Sequence, residues 1–165
     1  MPIMILIFIL VWIFIGFPIF NQIRPGLNNK LFKIYKFKTL YDGVGDELSR
    51  ISSFGNFLRK YGLDELPQLI NILKNDMSLI GPRPLLKEYL SKYSKKQLNR
   101  HSVKPGILGL AQLYELNAPK KINSKIRIDL FYIEKLNFFL DVMIFCKIMK
   151  IIFLKKRKNN FKKLI

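Results

Sequence analysis

The sequence predicts an α+β fold, mostly helical, entered through a membrane-embedded helix, and three observations carry that prediction. Met1 to Ile23 holds no charged side chain, and Met4 to Phe20 is almost wholly aliphatic and aromatic. Leu31 to Thr39 alternates as a strand does, behind the turn-rich stretch from Asn21 to Lys30. Several later stretches repeat apolar residues at helical spacing. A length of 165 residues suits one compact domain plus a membrane element. The expected division is a membrane helix over residues 1–20 and a cytoplasmic-face domain over residues 21–165.

The N-terminal helix comes first. It is not read as a signal peptide, because it has neither a basic start nor an Ala-x-Ala-like cleavage site. Gly16 and Pro18 interrupt it, and proline disfavours helix continuation. Pro2 to Ile15 would measure roughly 20 Å, short of a hydrocarbon core of roughly 30 Å. A re-entrant or half-inserted helix therefore fits as well as a signal anchor. Arg24, Lys30, Lys33, Lys36 and Lys38 follow at once, and the positive-inside rule puts the rest in the cytoplasm.

Next, Phe17–Ile23 and Leu31–Leu40 can pair as a hairpin across the turn. Lys36 and Lys38 share one strand face. That face is either simply solvated or a polyphosphate-binding strand, and spacing alone favours the former. Tyr41 to Ser49 reads as a polar loop, and Ser52 to Lys60 as a short helix stopped by Gly62. Leu66, Leu69, Ile70 and Leu73 then form an apolar stripe, with Asp64 as a candidate N-cap and Pro67 tolerable in the first turn.

Ile80-Gly81-Pro82-Arg83-Pro84 is a rigid turn, since each proline pushes its predecessor toward extended geometry. Pro84 to Arg100 reads as an amphipathic helix with Leu85, Leu86, Tyr89, Leu90 and Tyr93 on one side. Lys104-Pro105-Gly106 marks a turn. Phe138 to Leu154 is apolar but carries Asp141, Lys147 and Lys150, which argues for an interfacial helix over a spanning one. The tail, Lys155–Lys158 with Lys162 and Lys163, reads as a polybasic anchor for anionic lipid.

Composition narrows the function. Lys and Arg number 29 against 11 Asp and Glu, a formal net charge of +18 in a chain that is 50% hydrophobic. Such a protein belongs at an anionic surface. Nucleic acid would attract the same charge, but no recognition motif is present and the apolar N-terminus argues against that partner. The single Cys146 cannot form an intramolecular disulfide, and its apolar setting predicts a small buried hydrophobe. His101 has no Cys or His at metal-ligand spacing and reads as surface or packing.

The most informative residues are two adjacent acids, Asp64-Glu65, within Leu63-Asp64-Glu65-Leu66-Pro67-Gln68-Leu69. In so basic a chain they stand out. Helix capping explains Asp64 on its own. Presentation of a carboxylate nucleophile to a phosphate is the other reading.

The order of motifs bears on that choice. Gln22-Ile23-Arg24-Pro25-Gly26, Lys36-Phe37-Lys38-Thr39-Leu40, Leu63–Leu69, Asp76-Met77-Ser78-Leu79-Ile80-Gly81-Pro82-Arg83-Pro84 and Lys104-Pro105-Gly106-Ile107 follow one another along nearly the whole chain. In that order they resemble the bacterial sugar transferase family, the monotopic phosphoglycosyl transferases that initiate lipopolysaccharide, capsule, exopolysaccharide or glycoprotein glycan assembly. The resemblance implies transfer of a sugar phosphate from a UDP-sugar to undecaprenyl phosphate, with release of UMP. It implies a covalent phosphosugar-aspartate intermediate and Mg²⁺, with Asp64 as nucleophile and Glu65 as the neighbouring acid that shares metal binding and catalysis. Arg24, Lys36, Lys38, Arg59 and Arg83 are the candidate phosphate clamps, Arg for bidentate contacts and Lys as a point charge. Implied partners are the UDP-sugar, undecaprenyl phosphate, membrane lipid and downstream glycosyltransferases, at the cytoplasmic face of a bacterial inner membrane.

The chain departs from the family pattern in several places. Family members usually begin earlier, with a basic start and the first half of a helix hairpin broken at Ser-Pro; here Met1-Pro2 falls at that place. The usual Ser before Leu-Asp-Glu is Gly62, the usual Arg-Pro-Gly is Lys104-Pro105-Gly106, and the usual Gly-Trp-Ala-Gln is Gly109-Leu110-Ala111-Gln112. The polar Asn-Gly-Arg segment is replaced by Tyr114-Glu115-Leu116-Asn117. Altered sugar preference is one expectation from these changes. An N-terminally truncated, non-catalytic membrane-associated remnant of the same fold is the alternative.

Overall fold

The computed structural model describes residues 2–115 and 122–161. The chain divides into two compact units, Met1–Ile23 with Lys33–Asn75, and Arg24–Phe32 with Asp76–Ile165.

The first unit opens with α1 (Pro2–Ile15), whose Ile7, Val11 and Ile15 recur at i, i+4 and i+8 and are buried. They form a core with Phe37 and Leu58, flanked by Ile19, Phe54, Leu63 and Leu66. Much of the rest of α1 is equally apolar and bare: Ile5, Trp12 and Ile13 are all exposed. Strands β1 (Ile19–Pro25) and β2 (Leu31–Phe37) make a two-stranded sheet, as the alternation predicts. A short α2 (Glu47–Arg50) precedes α3 (Ser53–Tyr61). The Ser52 hydroxyl caps α3 by accepting from Gly55 N–H at 2.7 Å. Gly62, at φ +67°, ends the helix in the left-handed conformation that glycine adopts without Cβ strain.

A 3₁₀ turn, Leu63–Glu65, leads toward α4 (Gln68–Leu73). Helix α4 is tied to β2 by one fully buried side chain. Asn71 accepts from Tyr35 N–H at 3.2 Å through Oδ1 and donates to the Lys33 carbonyl at 2.7 Å through Nδ2. Replacing it by Leu strands both backbone groups in a dry site, where each unmade bond costs about 1–3 kcal/mol. Asn71→Leu is therefore expected to lower stability by about 2–4 kcal/mol in urea titration, with the slope of the transition unchanged.

In the second unit, β3 (Ser78–Ile80), α5 (Lys95–Leu98) and β4 (Gly106–Leu108) precede α6 (Leu110–Glu115), α7 (Ile122–Glu134) and α8 (Phe138–Phe161). Strands β3 and β4 pair in parallel, Ser78 with Gly106 and Ile80 with Leu108. Leu110, Tyr132, Ile144 and Ile148 form the core of this unit. The Tyr132 hydroxyl donates to Asp141 at 2.8 Å, tying α7 to the first turn of α8. Burial, together with that carboxylate, holds the Tyr132 phenol well above its ordinary range. Along α8, Phe138, Phe139, Val142 and Phe145 are exposed. Among the described residues, no helix is long and apolar enough to cross a membrane.

Several expectations are corrected. Pro84–Arg100 is not one helix but a 3₁₀ segment Lys87–Lys92, then α5, then a 3₁₀ turn Asn99–His101. Tyr93 is extended, and Ser94 restarts the chain with a capping box, its Oγ accepting from Gln97 N–H at 3.3 Å while Gln97 Oε1 accepts from Ser94 N–H at 2.9 Å. The reciprocal cap outcompetes continuation through that point. Cys146 is exposed on α8, not buried, because Ile144 and Ile148 define the packed face. The expected loop over Tyr41–Ser49 contains the start of α2. Lys162 and Lys163 lie outside the described residues, as do Leu116 and Asn117.

Candidate active site

In the first unit the left-handed Gly62 reverses the chain after α3, and Leu63 and Leu66 pack on the α1 core. The intervening Asp64 and Glu65 are thereby fixed on a short, anchored turn. Asp64 is only 9% exposed. It is not an N-cap: Gly62 stands at that position of the 3₁₀ turn and Pro67 at that of α4. Glu65 is held by Lys36 from β2, Nζ to Oε1 at 2.8 Å, in a partly buried ion pair.

The other predicted cations of this unit engage different acids. Lys38 Nζ reaches Asp42 at 2.6 Å. Arg59 donates to Thr39 Oγ1 at 2.8 Å and also pairs with Glu47. Asp42 and Glu47 are well exposed, so both pairs are weak and exchangeable for a better anion. The fold thus brings Lys36 to the acid pair, while Lys38 and Arg59 also engage acids outside it.

Arg24 and Arg83 belong to the second unit. Arg24 Nη1 donates to the Pro84 carbonyl at 3.4 Å. Burial first, and the nearby Arg83 guanidinium second, hold Arg24 below the usual guanidinium range, with Glu88 partly opposing. Two guanidinium groups close enough to repel one another form a place where an anion is favoured. Arg83 also borders a small open depression with Leu85, Gly109, Gln112, Lys125 and Asp129.

The hairpin tip joins this unit through His101. Asn28 and Asn29 adopt left-handed backbone, and Asn29 Oδ1 lies 2.6 Å from His101 Nδ1. Burial, then Arg100, push the His101 pKa down to about 4, so the imidazole is neutral. Nδ1–H then donates to Asn29, leaving Nε2 to face Arg100 Nη1 at 3.4 Å. Because the folded value lies below the unfolded one of about 6.5, the unfolded chain binds the extra proton. Stability is complete above about pH 6.5 and falls as pH drops toward 4. Thermal melts should show this loss, on the order of 2–3 kcal/mol, and His101→Gln should flatten it.

Sequence reading missed the buried polar residues. Gln68 and Asn71 share one face of α4, and Gln68 Nε2 has no hydrogen-bond partner among the described residues. Arg100 and Asp129 are also buried. For Asp129 the signal was a polar residue in register with apolar ones: it lies between Ile126 and Tyr132 on the buried stripe of α7. Among the described residues, no cluster of three or more His, Cys, Asp or Glu could hold a metal by itself.

The family model described as bacterial sugar transferase matches residues 1–155. The uncharacterized sugar transferase EpsL of Bacillus subtilis (strain 168) is 47% identical over 140 residues, covering 80% of this chain and 68% of that protein. The UDP-N-acetylgalactosamine-undecaprenyl-phosphate N-acetylgalactosaminephosphotransferase of Aeromonas hydrophila is 36% identical over 150 residues, 83% of this chain and 36% of that protein. The UDP-glucose:undecaprenyl-phosphate glucose-1-phosphate transferase of Escherichia coli (strain K12) is 35% identical over 144 residues, 78% of this chain and 31% of that protein. The match thus spans about two thirds of the first relative and about a third of the other two.

Proposed function

The chain belongs to the bacterial sugar transferase family, and from that premise we propose that it moves a sugar 1-phosphate from a UDP-sugar to undecaprenyl phosphate, initiating a surface glycan. The observation that carries this reading is Asp64, nearly buried on a core-anchored turn, beside a Glu65 held by Lys36.

Two steps follow. The Asp64 carboxylate attacks the phosphorus that bears the sugar, forming an acyl phosphate as the P–O bond to UMP breaks. An oxygen of undecaprenyl phosphate then attacks that phosphorus, the bond to Asp64 breaks, and the free carboxylate returns with a lipid diphosphate sugar as product. A carboxylate is a weak nucleophile toward an anionic phosphate, so charge must be neutralised. Lys36 orients Glu65 and adds one positive charge at the pair. In the second unit, Arg24 and Arg83 supply a bidentate-capable anion site.

Mg²⁺ fits this acid pair. Mg²⁺ keeps several waters and takes one or two carboxylates plus substrate phosphates rather than a full protein cage. Asp64 and Glu65 are sequence neighbours of that ligand type on one turn of the first unit, with Glu65 Oε1 also held by Lys36. When bound, the ion would neutralise diphosphate charge.

The protein is proposed to work at the cytoplasmic face of a bacterial inner membrane. Exposed apolar side chains on α1 and α8 support insertion into the interface. Vesicle flotation in 1 M salt checks this: apolar insertion persists when electrostatic attraction is screened, and release into the soluble fraction excludes it.

The covalent step has its own test. Radiolabelled UMP should exchange into the UDP-sugar in the absence of undecaprenyl phosphate. Net UMP release that requires the lipid, with no such exchange, would replace the two-step scheme by direct displacement. No UMP release under any donor would favour a non-catalytic scaffold.

A further inference from the structure

We propose that the buried ion pair between Arg100 and Asp129 is a positioning element for Arg83. The inference rests on the reading of Arg83 as a donor-phosphate contact. Arg100 is 1% exposed and Asp129 2%. Arg100 Nη2 donates to Asp129 Oδ2 at 2.6 Å and to the Arg83 carbonyl at 2.8 Å. Arg24 grips the next carbonyl, that of Pro84. Two residues upstream, Gly81 N–H donates to Leu108 O at 2.9 Å, and the Pro82 carbonyl accepts from Gly106 N–H at 3.1 Å. Four successive residues of the Gly81–Pro84 turn thus have a backbone group pinned, and the pin at Arg83 itself is a buried charge.

That choice is informative. A buried ion pair is weak evidence of stabilisation, because desolvation offsets its attraction. What the guanidinium adds is geometry: the two N–H groups of Nη2 lie fixed in the guanidinium plane and meet two acceptors at once, a direction that a freely rotating lysine ammonium on a flexible stem does not hold. The pair is anchored in turn by α7, where Asp129 sits one turn before Tyr132, itself bonded to Asp141. Asp129 also borders the same open depression as Arg83 and Lys125. Arg100 touches no substrate in this scheme; it acts through the backbone of the residue that does.

The test is a double-variant cycle on UDP binding by calorimetry, using the full chain in detergent with Mg²⁺. Arg83→Lys and Arg100→Lys are each expected to weaken UDP about tenfold, and the double variant no more than either alone, because both remove the same contact. Melting curves are read in parallel. If Arg100→Lys fails to fold, Asp129→Asn, which keeps an acceptor for Arg100 while removing the charge, is measured against Arg83→Lys in the same cycle. Wild-type affinity in the folded Arg100→Lys protein overturns the proposal. So does a multiplicative loss of about a hundredfold in the double variant, or wild type that binds no UDP. A protein that binds UDP with the predicted coupling but releases no UMP from any UDP-sugar keeps the positioning role and sinks the transferase reading instead.

Discussion

Asp64→Asn is expected to abolish UMP release, by roughly 10³-fold or more, while leaving the folded protein within about 1 kcal/mol of wild type. The substitution keeps the volume of a side chain that is almost buried and removes only the negative oxygen. An amide nitrogen cannot attack phosphorus, so exchange of labelled UMP should vanish together with net turnover. Glu65→Gln separates the two acids. It removes the partner charge of Lys36, at a cost on the order of 1 kcal/mol in a partly buried pair, read as a fall in melting point. Its residual exchange should exceed that of Asp64→Asn, because the nucleophile remains. Turnover by Asp64→Asn indistinguishable from wild type removes the nucleophile assignment altogether.

Local chemistry was readable where one segment decides its own shape. Helix α3 begins after a serine cap and ends at a left-handed glycine, and both residues announce it. The hairpin is announced by alternation on either side of a turn rich in Asn and Gly. The break at Tyr93 was hidden, because Leu85 to Tyr93 keeps helical spacing while Ser94 and Gln97 prefer to cap a new helix. The parallel pairing of β3 with β4 was out of reach for a different reason. Strands of three residues are too short to show a period, and their partner lies far along the chain.

The site divides in the same way. Asp64 and Glu65 stand out as neighbours in one motif. That Lys36 holds Glu65 depends on how β2 lies beside the 3₁₀ turn. No spacing rule along the chain contains that register. The buried Arg100–Asp129 pair is likewise a long-range fact, and arginine in a basic chain carries no local mark of burial.

Gly106→Ala is expected to cost far more stability than any surface change, about 3–5 kcal/mol, seen as a fall in melting temperature of about 10 °C or more. The reason is backbone against backbone. A Cβ at position 106 would stand 2.1 Å from Gly81 N, 2.6 Å from Ile80 C and 2.7 Å from Gly81 Cα, and none of these atoms can swing aside as a flexible side chain would. Relief requires β3 and β4 to move apart. That lengthens Ser78 N–H to Pro105 O, now 2.9 Å, and Gly106 N–H to Pro82 O, now 3.1 Å. Both bonds hold the turn that carries Arg83, so UDP affinity should fall alongside stability in whatever fraction folds. Gly62→Ala is the contrasting variant. Its φ of +67° penalises any Cβ, but nothing lies within 4 Å. Left-handed strain alone costs about 1–2 kcal/mol. The two variants therefore separate steric interlock from backbone conformation, and the interlock should dominate. A Gly106→Ala protein melting within about 2 °C of wild type would show that β3 and β4 are not held at the spacing described.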